Sequence, residues 1–83
     1  MNSSNDFYIA DTEERIGVNR TADSSVVEQN RIIQDKSGLW LCQSRYFHKP
    51  TKHITGWQTS EMCETREEAR KYFENMPDWV KRF

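Results

Sequence analysis

Gly38-Leu39-Trp40-Leu41-Cys42-Gln43-Ser44-Arg45-Tyr46-Phe47, then His48-Lys49-Pro50-Thr51-Lys52-His53, then Ile54-Thr55-Gly56-Trp57-Gln58-Thr59-Ser60-Glu61-Met62 is the stretch on which the fold turns. It reads as two strands, residues 39–47 and 54–62, joined through a turn centred at Pro50-Thr51. Proline suits that turn because its ring presets the backbone angle. Such a centre pairs Phe47 with Ile54, Leu41 with Ser60 and Leu39 with Met62, all on one side, because strand side chains alternate. The other side then collects Trp40, Cys42, Ser44 and Tyr46 with Thr55, Trp57, Thr59 and Glu61. A slip of one residue would mix the two sets.

Upstream, residues 26–34 carry β-branched residues at both ends and end at Asp35-Lys36-Ser37-Gly38. Asp at the first position and Gly at the last are the preferences of a type I turn. Gly38 can adopt the left-handed conformation that closes such a hairpin with a bulge. That closure sets Ile33 opposite Leu41 and Ile32 opposite Cys42. Downstream, Thr65 and Glu68 form a capping box, in which hydroxyl and carboxylate each satisfy a free backbone N–H. Glu67 and Glu68 suit the positive end of the helix dipole. Ala69, Tyr72, Phe73 and Met76 then make one apolar stripe at helical spacing. Pro77 stops the helix at or before Met76, and Asp78 caps a short terminal turn carrying Trp79, Val80 and Phe83.

The fold expected is therefore α+β: a three-stranded antiparallel β-meander packed against one main C-terminal helix plus a short terminal turn. Residues 26–83 form this single domain. Residues 1–25 form a partly flexible N-terminal arm, in which Phe7-Tyr8-Ile9-Ala10 is the candidate for a fourth, edge strand. At 83 residues the core is thin. With 35% hydrophobic and 12% aromatic residues, it has to be built from a few large rings. No apolar run reaches the roughly 20 residues needed to span a bilayer, and the polar start Asn2-Ser3-Ser4-Asn5-Asp6 is unlike a secretory signal. A cytoplasmic protein with no membrane contact is expected. Two cysteines are too few for a disulfide scaffold. With residue 42 facing residue 59, Cys63 lies out of bridging reach, so both thiols are read as free.

Chemistry is sparse. His48 and His53 flank the turn, but a metal needs further ligands and the neighbours are lysines, so neither a metal nor another cofactor is expected. Cys63 precedes a helix N-terminus, which lowers thiol pKa, yet Glu61, Glu64, Glu67 and Glu68 crowd it and push the other way. No enzyme is expected. Two surfaces remain. One is the basic, aromatic tip of Arg45, Tyr46, Phe47, His48, Lys49, Lys52 and His53, with no acidic residue between Asp35 and Glu61, a pattern that phosphates reward even at a net charge of -1. The other is the ring-bearing side with Trp40, Tyr46 and Trp57. If the helix covers the Leu41, Phe47, Ile54 and Met62 side, those rings are left for the chain's own ends or for a partner. A second copy of the chain would use the same physics.

A meander packed on a helix, with Gly38-Leu39-Trp40, Gly56-Trp57 and Thr65-Arg66-Glu67-Glu68-Ala69-Arg70-Lys71-Tyr72-Phe73, resembles the modules that lay a β-sheet in the DNA major groove, such as plant AP2 domains and integrase arm-binding domains. The resemblance covers about 36 residues, from 38 to 73. The arginine-rich strands of those families are represented here by Arg31 and Arg45 alone.

The reading that follows is a small interaction module acting by occupation, of the kind a phage or mobile element uses to inhibit a host protein or nucleoprotein complex. Trp40, Tyr46 and Trp57 would anchor the partner, and Arg45, Lys49 and Lys52 would orient it. The alternative is a nucleic-acid-binding domain using the 45–53 hairpin, with Arg31, Arg45, His48, Lys49, Lys52 and His53 as contacts.

Overall fold

The computed structural model describes residues 13–20 and 25–82, and all that follows concerns these. The chain runs β1 (Glu14–Arg20), β2 (Val26–Gln34), β3 (Trp40–His48), β4 (His53–Ile54), β5 (Gln58–Cys63), α1 (Arg66–Glu74) and β6 (Trp79–Lys81). The architecture is α+β, one antiparallel sheet with one helix. The strands lie in the order β4-β3-β2-β1-β6, and β5 continues the β4 edge alongside β3. No helix among the described residues is long and apolar enough to cross a membrane.

The two local turns fold as their residues dictate. Gly38 sits at φ 93°, and the Asp35 carboxylate accepts from the backbone N–H of Ser37 at 2.9 Å and of Leu39 at 3.0 Å. The β2–β3 register is the expected one, with Ile33 opposite Leu41 and Ile32 opposite Cys42. At the second turn Phe47 pairs with Ile54 and His48 with His53, and Lys52 takes the left-handed conformation at φ 58°. The helix starts on the expected capping box and ends before Pro77.

Five expectations are corrected. The sheet has six strands rather than three with a possible fourth. β1 lies within the segment assigned to an arm, pairing antiparallel with β2; the proposed edge strand at Phe7–Ala10 falls outside the described residues. Residues 79–81 are not a helical turn but a strand on β1. Asp78, at φ 61°, turns the chain back there, so the β1 edge takes up backbone groups that a lone turn would leave to water.

The β5 register also differs. The ladder breaks at Thr55-Gly56-Trp57 and bulges again near Ser60, so Leu41 pairs with Met62 and Cys42 with Glu61. Tyr46 donates its N–H to the Thr55 hydroxyl and accepts from the Thr55 N–H at 3.0 Å, which ends β4 pairing at that point. Cys63 is thereby drawn opposite Trp40 and into reach of Cys42, although both thiols are free.

Most consequential is the side the helix covers. It packs on the Trp40 and Cys42 side, not the Leu41 and Phe47 side. Ile16, Ile32, Cys42, Ala69 and Phe73 form the buried core, with Trp40, Cys63, Tyr72, Met76 and Trp79 around it. Ala69 and Cys42 are small enough to let the helix backbone approach, and Cys42 Sγ lies 3.6 Å from the Ala69 carbonyl oxygen. Full burial of Phe73 contributes on the order of 2–3 kcal/mol. A bulge in β1 turns Ile16 into this core. Glu14, two residues before, binds Arg66 at 2.8 Å and Arg70 at 3.1 Å and ties β1 to the helix.

Trp79 closes the same side by lying across β1 at Gly17. A Cβ there would stand 2.2 Å from Trp79 Cζ2 and 2.7 Å from the Val80 carbonyl oxygen. Gly17→Ala should therefore lower the urea midpoint at unchanged slope, at a cost of about 1–3 kcal/mol as for other overpacking changes. An unchanged midpoint would mean that β6 does not seat on β1. Hydrogen bonding to Ser37 and then to the turn amides holds the Asp35 carboxyl below its ordinary 3.8. Its contribution is complete above that value and lost as pH falls through the lower folded value. Acid titration followed by circular dichroism should thus show a steeper loss of stability below pH 4 for the wild type than for Asp35→Asn (about pH 4 being the ordinary carboxyl range).

Candidate functional site

With the helix on the Cys42 side, no helix among the described residues covers the opposite side of the sheet. The β2–β3 register places Gln29 opposite Arg45 and Arg31 opposite Gln43 on it, and β1 adds Arg15 opposite Arg31. The side chains bond as their pairing suggests. Arg45 Nε donates to Gln29 Oε1 at 2.7 Å, and Arg31 Nε donates to Gln43 Oε1 at 2.8 Å. Gln43 Nε2 donates in turn to the Thr59 hydroxyl at 3.0 Å. Arg31 also pairs with Glu13, which stands 3.7 Å from Arg15.

Trp57 is carried onto this lattice by the break between β4 and β5. The Arg31 and Arg45 guanidinium carbons lie 4.3 Å and 4.5 Å from its ring centroid. Guanidinium is weakly hydrated and planar, so it stacks on an indole at little desolvation cost. Burial, then the like charges of Arg15 and Arg31, push the Arg45 pKa down. The cluster is a concentration of positive charge held in place by amides, a ring and the Glu13 carboxylate.

Charge is sorted by strand alternation. The three carboxylates in the described strands, Glu14, Glu28 and Glu61, lie opposite Ile32, Tyr46 and Cys42 and so share the helix side. Arg15, Arg31 and Arg45 share the other. On the helix side, beyond the core, sits a closed polar network. Asn30 donates to Glu28 and to Ser44, both at 2.9 Å, and accepts from Trp79 Nε1 at 2.8 Å. Ser44 donates to Glu28 at 3.2 Å. Glu28, Asn30 and Ser44 are buried. The Tyr46 hydroxyl bonds Glu28, whose charge pushes the phenol pKa up.

The three aromatic residues expected to share a surface are thus divided. Trp40 packs against the core under the helix. Tyr46 is exposed, but on the helix side and engaged with Glu28. Trp57 alone lies on the open side, with Arg45 and Arg31. Lys49 and Lys52 are exposed on the tip, as is His53. His48 Nδ1 is 2.8 Å from the Thr51 hydroxyl. Among the described residues no group of three His, Cys, Asp or Glu side chains is placed to hold a metal ion. Cys42 is fully buried, and burial, then Cys63, pushes its thiol up to about 12. Sequence reasoning missed Arg15, Glu13, Gln29, Gln43 and Thr59. The first hairpin's register already implied the Gln29–Arg45 and Arg31–Gln43 pairs; β1 had no comparable signature.

In comparisons with known proteins the chain matches no family model, no curated protein and no solved structure.

Trp57→Ala should keep the native circular dichroism and cost about 1–2 kcal/mol, the sum of two partly exposed cation–π contacts. A loss above about 4 kcal/mol in urea denaturation would instead assign Trp57 to the core. Iodoacetamide at pH 8 should modify Cys63 well before Cys42, whose thiolate is scarce at that pH and shielded. Equal rates read by mass spectrometry would contradict the burial of Cys42.

Proposed function

We propose that this chain is a non-enzymatic binding module that acts by occupying another macromolecule, with the helix-free side of its sheet as the contact surface. One observation carries the reading. The strands place their arginines on one side and their carboxylates on the other, and Trp57 is stacked on that arginine lattice rather than in the core. A structural cluster serving only stability gains little from unlike sorting of charge, since surface ion pairs contribute about 0–1 kcal/mol each. A binding surface gains both attraction and register. Arg and Trp are also the residues that dominate contact energetics.

The reading moves the anchor from three rings to one. Trp57 anchors and Arg45 orients, while Lys49 and Lys52 extend positive charge to the hairpin tip. Trp40 and Tyr46 serve the fold on the other side.

A photoreactive benzoylphenylalanine at Met62 tests the surface. Met62 is 61% exposed and pairs with Leu41 on the open side. In cells that make the protein, adducts should form from position 62 and not from Lys71, which is exposed on the helix. Adducts from 71 alone, or equally from both, would overturn the assignment.

A further inference from the structure

We propose that the helix-free side takes a single-stranded polynucleotide, with Arg15 and Arg45 contacting phosphates of one backbone and Trp57 positioning the Arg45 guanidinium. This rests on the reading that this side is the contact surface, and adds the identity of its occupant.

The first support is the arrangement of charge. Arg15 faces Arg31 across β1 and β2, and Arg45 lies one strand further on, two positions along from the Arg31 partner Gln43. Cross-strand neighbours lie about 5 Å apart and diagonal ones about 7–8 Å, so the guanidiniums form a row across the sheet. A row of cations matches a row of anions, which a phosphodiester backbone presents and a lone carboxylate ligand does not. Glu13 occupies part of Arg31 and stands near Arg15, while Arg45 is bonded to the neutral Gln29. Like-charge crowding there is relieved when a phosphate binds.

The second support is the shape of the ligand that fits. Five ribbons side by side, β4/β5, β3, β2, β1 and β6, span about 19 Å at about 4.8 Å each. The major groove of duplex DNA is about 12 Å wide, so the arginines in the middle of this sheet do not reach its floor. A single strand can lie on the sheet instead. The side chains beside the arginines, Gln29 and Gln43, and Thr59 one strand further out, carry donors and acceptors without charge, as suits bases or sugars beside phosphates. Guanidinium planes and an indole are the stacking groups that single strands use.

Fluorescence anisotropy with labelled 12-residue oligothymidylate and oligouridylate tests the proposal on the full chain. Binding should weaken with salt, at about 0.7 log units per log unit of salt for each phosphate contacted. Arg15→Gln and Arg45→Gln should each reduce that slope by about 0.7 and leave the thermal melt native-like; Lys71→Gln, on the helix, should change neither. Arg15 is largely exposed, so its variant reports on binding even if Arg45→Gln disturbs the Trp57 stack. Equal or tighter binding of the matching duplex, displacement by polyglutamate at equal charge concentration, or no effect of Arg15→Gln would overturn the single-strand assignment. If no oligonucleotide binds while Met62 adducts form and are digested by protease but not by nuclease, the contact surface stands and its occupant is a protein. If neither is seen, both readings fail.

Discussion

Phe73 seated against Ile32 and Cys42 is the contact on which the rest of the molecule depends. A sheet has two sides and the described residues form one helix, of nine residues, which can shield only one of them. Phe73 and Ala69 both reach zero exposure on the Cys42 side. Ala69 is what allows this, because a larger residue would hold the helix away from Cys42 and leave Phe73 short of its pocket. Once the helix is there, Glu14 can clamp Arg66 and Arg70, and no helix among the described residues lies over the side bearing Arg15, Arg31 and Arg45.

The same side of the sheet is shared between an apolar half and a polar half. Beyond Phe73 the strands present Glu28, Asn30 and Ser44, buried and bonded to one another. Burying such groups unpaired costs about 1–3 kcal/mol apiece, so the network has to be complete to be tolerated. Trp79 completes it, since its indole N–H reaches the Asn30 carbonyl while its ring lies over Gly17. The last strand is thus held by one hydrogen bond and one close approach as well as by its ladder. A chain of 83 residues has little core to spare, and recruiting its C-terminal segment as a fifth ribbon is one way to enlarge it.

Net charge is a poor guide to such a surface. The chain carries -1 overall, yet alternation along each strand sends Glu14, Glu28 and Glu61 one way and Arg15, Arg31 and Arg45 the other. On the positive side Gln29, Gln43 and the Glu13 carboxylate fix the guanidiniums, and Trp57 stacks on those of Arg31 and Arg45.

Local chemistry was legible in the residues. Asp35 and Gly38 fixed the first turn, Pro50 the second, and Thr65 with Glu68 the start of the helix, because each acts within four or five residues. The first hairpin's register followed from its turn, and with it the pairs Gln29–Arg45 and Arg31–Gln43. The choice of covered side did not follow, because Ile32 and Ile33 are adjacent, point to opposite sides and are both buried; a period of two cannot rank them. Nor did the slipped β5 register, set by a break at 55–57 and a bulge near Ser60, or the pairing of β1 and β6, which are some sixty residues apart in sequence. Those were decided in three dimensions, where the small contact between Ala69 and Cys42 and the fit of Trp79 over Gly17 select one packing from several that the same alternating pattern permits.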